Sequence, residues 1–133
     1  MADELLDFFK TNPTYFLSTV DKDGNPQVRP FATFAKFDGA YYIQTGRSKS
    51  VAKQIAAHPR IAICGCSQDG SQWVRLEADA VDTHDASLEQ RILDEYPELG
   101  SMYKAGDGNT AAIRLDNVSA TLYSFTDAPR TLA

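Results

Sequence analysis

Ile43-Gln44-Thr45-Gly46-Arg47-Ser48-Lys49-Ser50 is where this sequence changes period. Before it the chain reads as short strands joined by turns. Tyr15 to Val20 is a strand, Asp21 to Pro26 a turn by composition, Gln27 to Phe37 a second strand, and Asp38-Gly39 a hairpin signal leading into Ala40 to Thr45. After it, Val51, Ala52, Ile55 and Ala56 recur at helical spacing, with Ser48 as the expected N-cap and His58-Pro59 as the stop. A strand end, a glycine turn and a helix start therefore meet at one corner.

Outward from that corner the same signals repeat. Asp3 to Lys10 reads as a short amphipathic helix with Leu5, Phe8 and Phe9 as its apolar stripe, ended by Asn12-Pro13. Arg60 to Cys66 and Gln72 to Val81 read as strands around Asp69-Gly70. Asp85 to Tyr96 reads as a helix facing inward with Leu88, Ile92 and Leu93, followed by a short helical turn through Met102. Thr110 to Leu115 and Ala120 to Phe125 read as two strands around Asp116-Asn117. The expected fold is mainly β (α+β): a six- to seven-stranded antiparallel barrel with about three flanking helices, since many short strands joined by tight turns hide their edges best by closing.

The totals bound the function. A chain of 133 residues with 43% hydrophobic content is one folded domain, residues 1–133, able to bury its own core. Its net charge of −5 disfavours nucleic acid, which needs a basic face. No apolar run nears the roughly 20 residues that span a bilayer. Met1-Ala2-Asp3-Glu4 is acidic where a secretory signal would be basic, so a cytoplasmic protein is expected.

Hydrolytic and metal chemistry have little support. His58 and His84 fall in no metal-ligand spacing, and there is no G-x-S-x-G elbow. Cys64 and Cys66 share one face of a strand and read as two small apolar residues of the kind that is often buried. Gly106 to Ala111 matches G-x-G-x-x-A but precedes a strand, so it reads as a loop. Asp79, Asp82 and Asp85 read as a solvated acidic face.

Three stretches can carry binding. At the corner, a helix start offers free N–H groups and a positive dipole end. Arg47 and Lys49 would add charge there, and Ser48 and Ser50 hydroxyl donors, which suits a phosphate; the same residues also suit a plain capped helix. In Val28-Arg29-Pro30 the proline cannot donate to a ladder, so it marks an edge, a bulge or a place where another molecule meets the backbone. Arg29 could stabilise negative charge on a planar ligand, or simply be solvated. Trp73 could stack on an aromatic ligand, fill an interface or pack in the core.

Taken in order, Tyr15 to Val20, Asp23-Gly24-Asn25-Pro26, Val28-Arg29-Pro30, Tyr42-Ile43-Gln44-Thr45, Ser48-Lys49-Ser50, His58-Pro59-Arg60-Ile61, Trp73 and Ala120 to Phe125 resemble the FMN-binding split-barrel family related to pyridoxamine 5'-phosphate oxidase. The pattern is similar to that of its short bacterial members, including the 5-nitroimidazole-reductase-like group. The resemblance implies a split β-barrel flavoprotein that binds FMN at the interface of a homodimer and works as an oxidoreductase on a small-molecule substrate. Val28, Arg29 and Pro30 would lie along the isoalloxazine ring, Gln44 and Thr45 would approach it from the adjoining strand, Ser48, Lys49 and Ser50 would hold the phosphate, and Trp73 would come from the partner subunit. No side chain need act as an acid or base. A non-catalytic flavin carrier or redox sensor, a deazaflavin protein and a haem-binding split barrel are the alternatives. The C-terminal Ala128 to Ala133 holds no histidine where the oxidases carry one, which sets the chain apart from that specific activity.

Overall fold

The computed structural model describes Ala2–Ala133; Met1, the first residue of the acidic N-terminal tetrapeptide, lies outside it. The elements are α1 (Glu4–Thr11), β1 (Tyr15–Val20), β2 (Pro26–Phe31), β3 (Ala35–Phe37), β4 (Ala40–Gly46), α2 (Ser50–Ala57), β5 (Arg60–Cys66), β6 (Gln72–Asp82), α3 (Ala86–Glu95), a 3-10 turn (Pro97–Ser101), β7 (Thr110–Ser124) and β8 (Arg130–Thr131). The strands run antiparallel in the order β2-β1-β5-β6-β7-β4-β3, with β8 added to β7. This is a split barrel. β2 and β3 end the path without pairing to each other, so the expected full closure is interrupted there.

Local chemistry explains the elements. Asp3 Oδ1 accepts the Leu6 N–H at 3.0 Å and caps α1, which buries Leu5 and Phe9. Asp85 caps α3 in the same way through Ser87 and Leu88. Along β5, Ile61, Ile63 and Gly65 point inward and join Leu17, Ile43, Val74 and Leu76 in the barrel core.

Two strand boundaries differ from the sequence reading. The span 27–37 splits into β2 and β3 because tyrosine hydroxyls replace the ladder at the break: Tyr15 Oη donates to the Thr33 carbonyl, and the Phe34 N–H donates to Tyr96 Oη at 3.0 Å. Conversely, the expected pair of strands around Asp116-Asn117 is one continuous β7. Asn117 takes a left-handed φ of 52° and its Nδ2 donates to Asp79 at 2.8 Å, absorbing a bulge where the register shifts between Glu77 and Asp79.

The cysteines correct a third expectation. Cys64 and Cys66 do share a face, but it is the outer one, and both are exposed. Alternation fixes that the two go together; the inward turn of Ile61 and Ile63 decides that they point out. Among the described residues no helix is long and apolar enough to cross a membrane, and no three metal-ligating side chains cluster.

Candidate functional site

The split in the barrel opens a groove of about 230 Å³. One wall is the unpaired edge of β2 with Arg29, Pro30 and Phe31, continuing through Ala32 and Thr33; the other is Gln44 and Thr45 of β4, with Lys49 and Val51 at the start of α2 and Leu99, Met102 and Tyr103 beyond. Five residues singled out in the sequence, Arg29, Pro30, Gln44, Thr45 and Lys49, thus converge on one site. Pro30 sits on an edge strand, as its missing N–H requires. The Gln44 N–H donates to Thr33 Oγ1 at 3.0 Å and ties the two walls together.

The groove is cationic. Arg29 and Lys49 line it and no carboxylate does. Among the described residues neither forms an ion pair. Burial holds the Arg29 guanidinium below its usual pKa range. In a chain of net charge −5, two unpaired cations facing one cleft are a local positive site able to attract an anion.

At the corner the cap differs from expectation. Lys49, not Ser48, is the N-cap of α2, and it makes no side-chain cap hydrogen bond. The reason is the tight turn in which the Lys49 N–H donates to the Gly46 carbonyl at 3.0 Å, while the Ser48 N–H donates to Asn109 Oδ1, also at 3.0 Å. With no side-chain cap, the Ser50 and Val51 N–H groups are left open at the start of α2, beside Ser48, Lys49 and Ser50, all three exposed. These are the features a phosphate uses at a helix start.

Arg47 does not join them, contrary to its expected part in the cradle. Its Nε and Nη2 donate to the two carboxylate oxygens of Asp82 at 2.8 and 2.9 Å, and Nη2 also reaches Glu89 at 3.3 Å. Burial, the largest single influence, pushes the Asp82 carboxyl up, but the Arg47 hydrogen bonds, the His84 backbone N–H and the charge of Arg47 together hold the group below its ordinary value. Asp82 is therefore not part of a solvated acidic face; it neutralises Arg47. The larger cavity on that side of α2, about 460 Å³, contains this paired arginine, Lys53 and an apolar wall of Ile55, Ala80 and Ile113, and its arginine, unlike Arg29 in the groove, is neutralised by an acid in the same lining.

Val28 and Trp73 lie elsewhere. They share the outer sheet face with Phe16 and Cys64. Trp73 is neither core nor groove: it stacks on Tyr123 at 5.8 Å between ring centroids and lies against Phe125 at 5.0 Å. Ser50 borders an adjoining depression with Lys53 and Gln54.

Sequence reasoning missed Thr33, Leu99, Met102 and Tyr103, which come from breaks and turns without a motif. The Tyr103 ring packs on the corner itself: its hydroxyl and Cε1 stand 3.2 Å from where a Gly46 Cβ would be, so a side chain there would press the ring back by a few tenths of an ångström. Asp107 shapes the loop behind it. Its carboxylate accepts the N–H groups of Thr110 at 2.6 Å, Asn109 at 2.8 Å and Lys104 at 3.0 Å, together with the Thr110 hydroxyl. The Thr110 N–H first, then the others, lower its pKa to about 2. A depressed carboxyl stabilises the fold above its unfolded value near 3.8 and loses that contribution as pH falls toward 2. In a carboxyl-carbon NMR titration Asp107 should therefore have its midpoint at about 2; a midpoint near 4 would show that the loop does not hold it.

The comparisons with known proteins agree with this architecture. The family model described as pyridoxamine 5'-phosphate oxidase matches residues 1–122. A NimC/NimA family protein from Clostridium acetobutylicum superposes with a TM-score of 0.90 at 28% identity, covering 96% of this chain and 88% of that one. A pyridoxamine 5'-phosphate oxidase-related, FMN binding protein from Nostoc punctiforme gives 0.64 at 16% identity, covering 96% and 94%. An F420 reductase gives 0.59 at 18%, covering 85% and 94%. No curated protein matches the chain. With the family model spanning nearly all of a chain already seen to form the split barrel and its cationic groove, this chain belongs to the pyridoxamine 5'-phosphate oxidase family of flavin-binding oxidoreductases.

Proposed function

We infer that the protein is an FMN-dependent oxidoreductase of the cytoplasm, passing electrons or hydride between a reduced donor and a small-molecule acceptor. The observation that carries this reading is the groove at the barrel split, with Arg29 and Lys49 in it and no acid to cancel them. A phosphorylated planar cofactor answers both features: an anionic tail for the cations and a ring for the unpaired β2 edge. When bound, FMN would supply the redox chemistry at its ring.

The chain's own residues bind and orient. Lys49, Ser48, Ser50 and the open N–H groups of α2 hold the phosphate. Arg29, which the family resemblance would lay along the ring, turns toward α2 and reaches Gln54, which supports assigning it instead to the phosphate end of the groove. Pro30, Gln44 and Thr45 flank the ring.

The groove is smaller than the flavin it would hold, so a second copy of the chain supplies the remaining wall. The outer face presents Phe16, Val28 and Phe125, 51%, 68% and 81% exposed, beside Trp73. Scattered exposed apolar residues are ordinary, but a contiguous group of large ones marks an interface. Arg75 and Glu77 lie on the same face two positions apart. Across a two-fold axis each can meet the other's counterpart, as a self-complementary patch requires. Val28 and Trp73 then approach the flavin of the neighbouring copy.

Titration of FMN into the apoprotein, followed by flavin fluorescence, tests the site. Lys49→Ala should weaken binding about tenfold, the ordinary cost of one charge-assisted hydrogen bond to phosphate. An unchanged dissociation constant would remove the corner from the site. Mass spectrometry of the released cofactor separates FMN from a deazaflavin. Reduction by a nicotinamide donor, followed by turnover with an acceptor, separates an enzyme from a carrier.

A further inference from the structure

Arg29 is the half-buried cation of the groove, and every group that holds it is neutral. Its Nη1 donates to Thr19 Oγ1 at 2.7 Å and to the Leu17 carbonyl at 3.3 Å; its Nη2 donates to Gln54 Oε1 at 2.9 Å. Thr19 closes a triangle by donating its own hydroxyl to the same Gln54 oxygen. Thr19 is 1% exposed on β1, inside the barrel, so the side of the triangle that fixes Gln54 is itself immobile. By contrast Arg47, Arg60, Arg91, Arg114 and Arg130 each meet a carboxylate.

The distinction matters because an amide oxygen and a carboxylate oxygen can take the same position and accept the same hydrogen bond. The carboxylate would also cancel the guanidinium charge. An amide directs the arginine and leaves its charge uncompensated. Glutamate in place of Gln54 would have nearly the same shape and the opposite electrostatic result.

We propose that Gln54 is a positioning residue: with Thr19 it aims Arg29 at the anionic group of the bound cofactor and, by being an amide, keeps that charge available, so that position 54 sets the preference for a phosphorylated over an unphosphorylated flavin. The inference rests on the flavin reading above and adds to it a residue that never touches the ligand.

The test compares FMN with riboflavin, which has the same ring and no phosphate. In Gln54→Glu the FMN dissociation constant should rise at least about tenfold, the scale of a lost charge-assisted contact, while that for riboflavin stays within about twofold. In an Arg29→Ala background the same substitution should change neither constant, because the effect runs through the arginine. Thermal melting of the apoproteins checks that the near-isosteric change leaves the fold intact. A Gln54→Glu protein that keeps wild-type FMN affinity, or loses riboflavin in step with FMN, overturns the role of Gln54 and leaves the flavin site standing. Persistence of the full effect without Arg29 also overturns it. Wild-type protein with no preference for FMN over riboflavin overturns the phosphate reading itself, and this inference with it.

Discussion

Phe16→Asp should leave the protomer folded while abolishing the proposed dimer and weakening FMN binding. Phe16 is 51% exposed in the single chain, so an aspartate there costs the barrel little. In register it lies between Pro30 of β2 and Cys64 of β5, at the middle of the apolar outer face. In a dimer built on that face the new carboxylate would be buried among Val28, Trp73 and Cys64, with Arg75 as the one nearby cation and that cation already matched to Glu77 across the proposed axis, a cost of several kcal/mol. That is more than about a hundredfold in the dimer dissociation constant. Sedimentation velocity should then give a single protomer, with circular dichroism unchanged. FMN affinity should fall at least tenfold if, as proposed, the other copy supplies the remaining wall of the groove. Cys64 and Cys66 provide a second readout, since both are exposed in the isolated chain and should react with a thiol reagent faster in the variant than in wild type. A variant that stays dimeric would exclude this face as the interface. A monomer with wild-type flavin affinity would exclude any contribution of the partner to the site.

The second large effect is on stability. Gly65→Ala should lower it by about 2–3 kcal/mol, within the range for overpacking a core. For a domain of this size that is a drop in Tm of about 10 °C. Gly65 lies on the inward face of β5, and a Cβ there would stand 2.5 Å from Cε1 of Phe9 and 3.3 Å from Cε1 of Phe8. The Phe9 ring cannot move aside. It is 1% exposed, stacked on Phe34 at 4.5 Å and edge-on to Tyr15 at 5.3 Å. Alanine would gain about 0.4–1 kcal/mol over glycine through the unfolded chain, which the clash exceeds. Chemical denaturation measures the difference. Phe9→Leu should make part of the substitution tolerable, so the double variant should be less damaged than the sum of the two singles. Gly65→Ala as stable as wild type would mean that α1 does not press on β5 as described.

Much of the split barrel was legible because its signals are local. Turn residues at Asp21 to Pro26, Asp38-Gly39 and Asp69-Gly70 divide alternating strands, and helical spacing begins just after Gly46. The boundaries that were missed depend on remote partners. Nothing near Ala32 to Phe34 announces that Tyr15 and Tyr96 will take up its backbone groups. Nothing near Asn117 announces that Asp79 will hold it in a left-handed turn inside a continuous strand.

Within the site the same division holds. From its own residues the sequence determined that a strand, a glycine turn and a helix start would form one corner, and that Arg29-Pro30 would mark an edge, because spacing, caps and a missing N–H act over a few positions. It also determined that Cys64 and Cys66 share a face, though not which face. Only the tertiary structure decided which cations are left to bind. Arg47 and Lys49 are near neighbours in sequence, yet Arg47 is neutralised by Asp82 and Glu89, 35 and 42 positions away, while Lys49 faces the open groove. A side chain's charge is written locally, but whether that charge is free depends on which acids the fold brings against it.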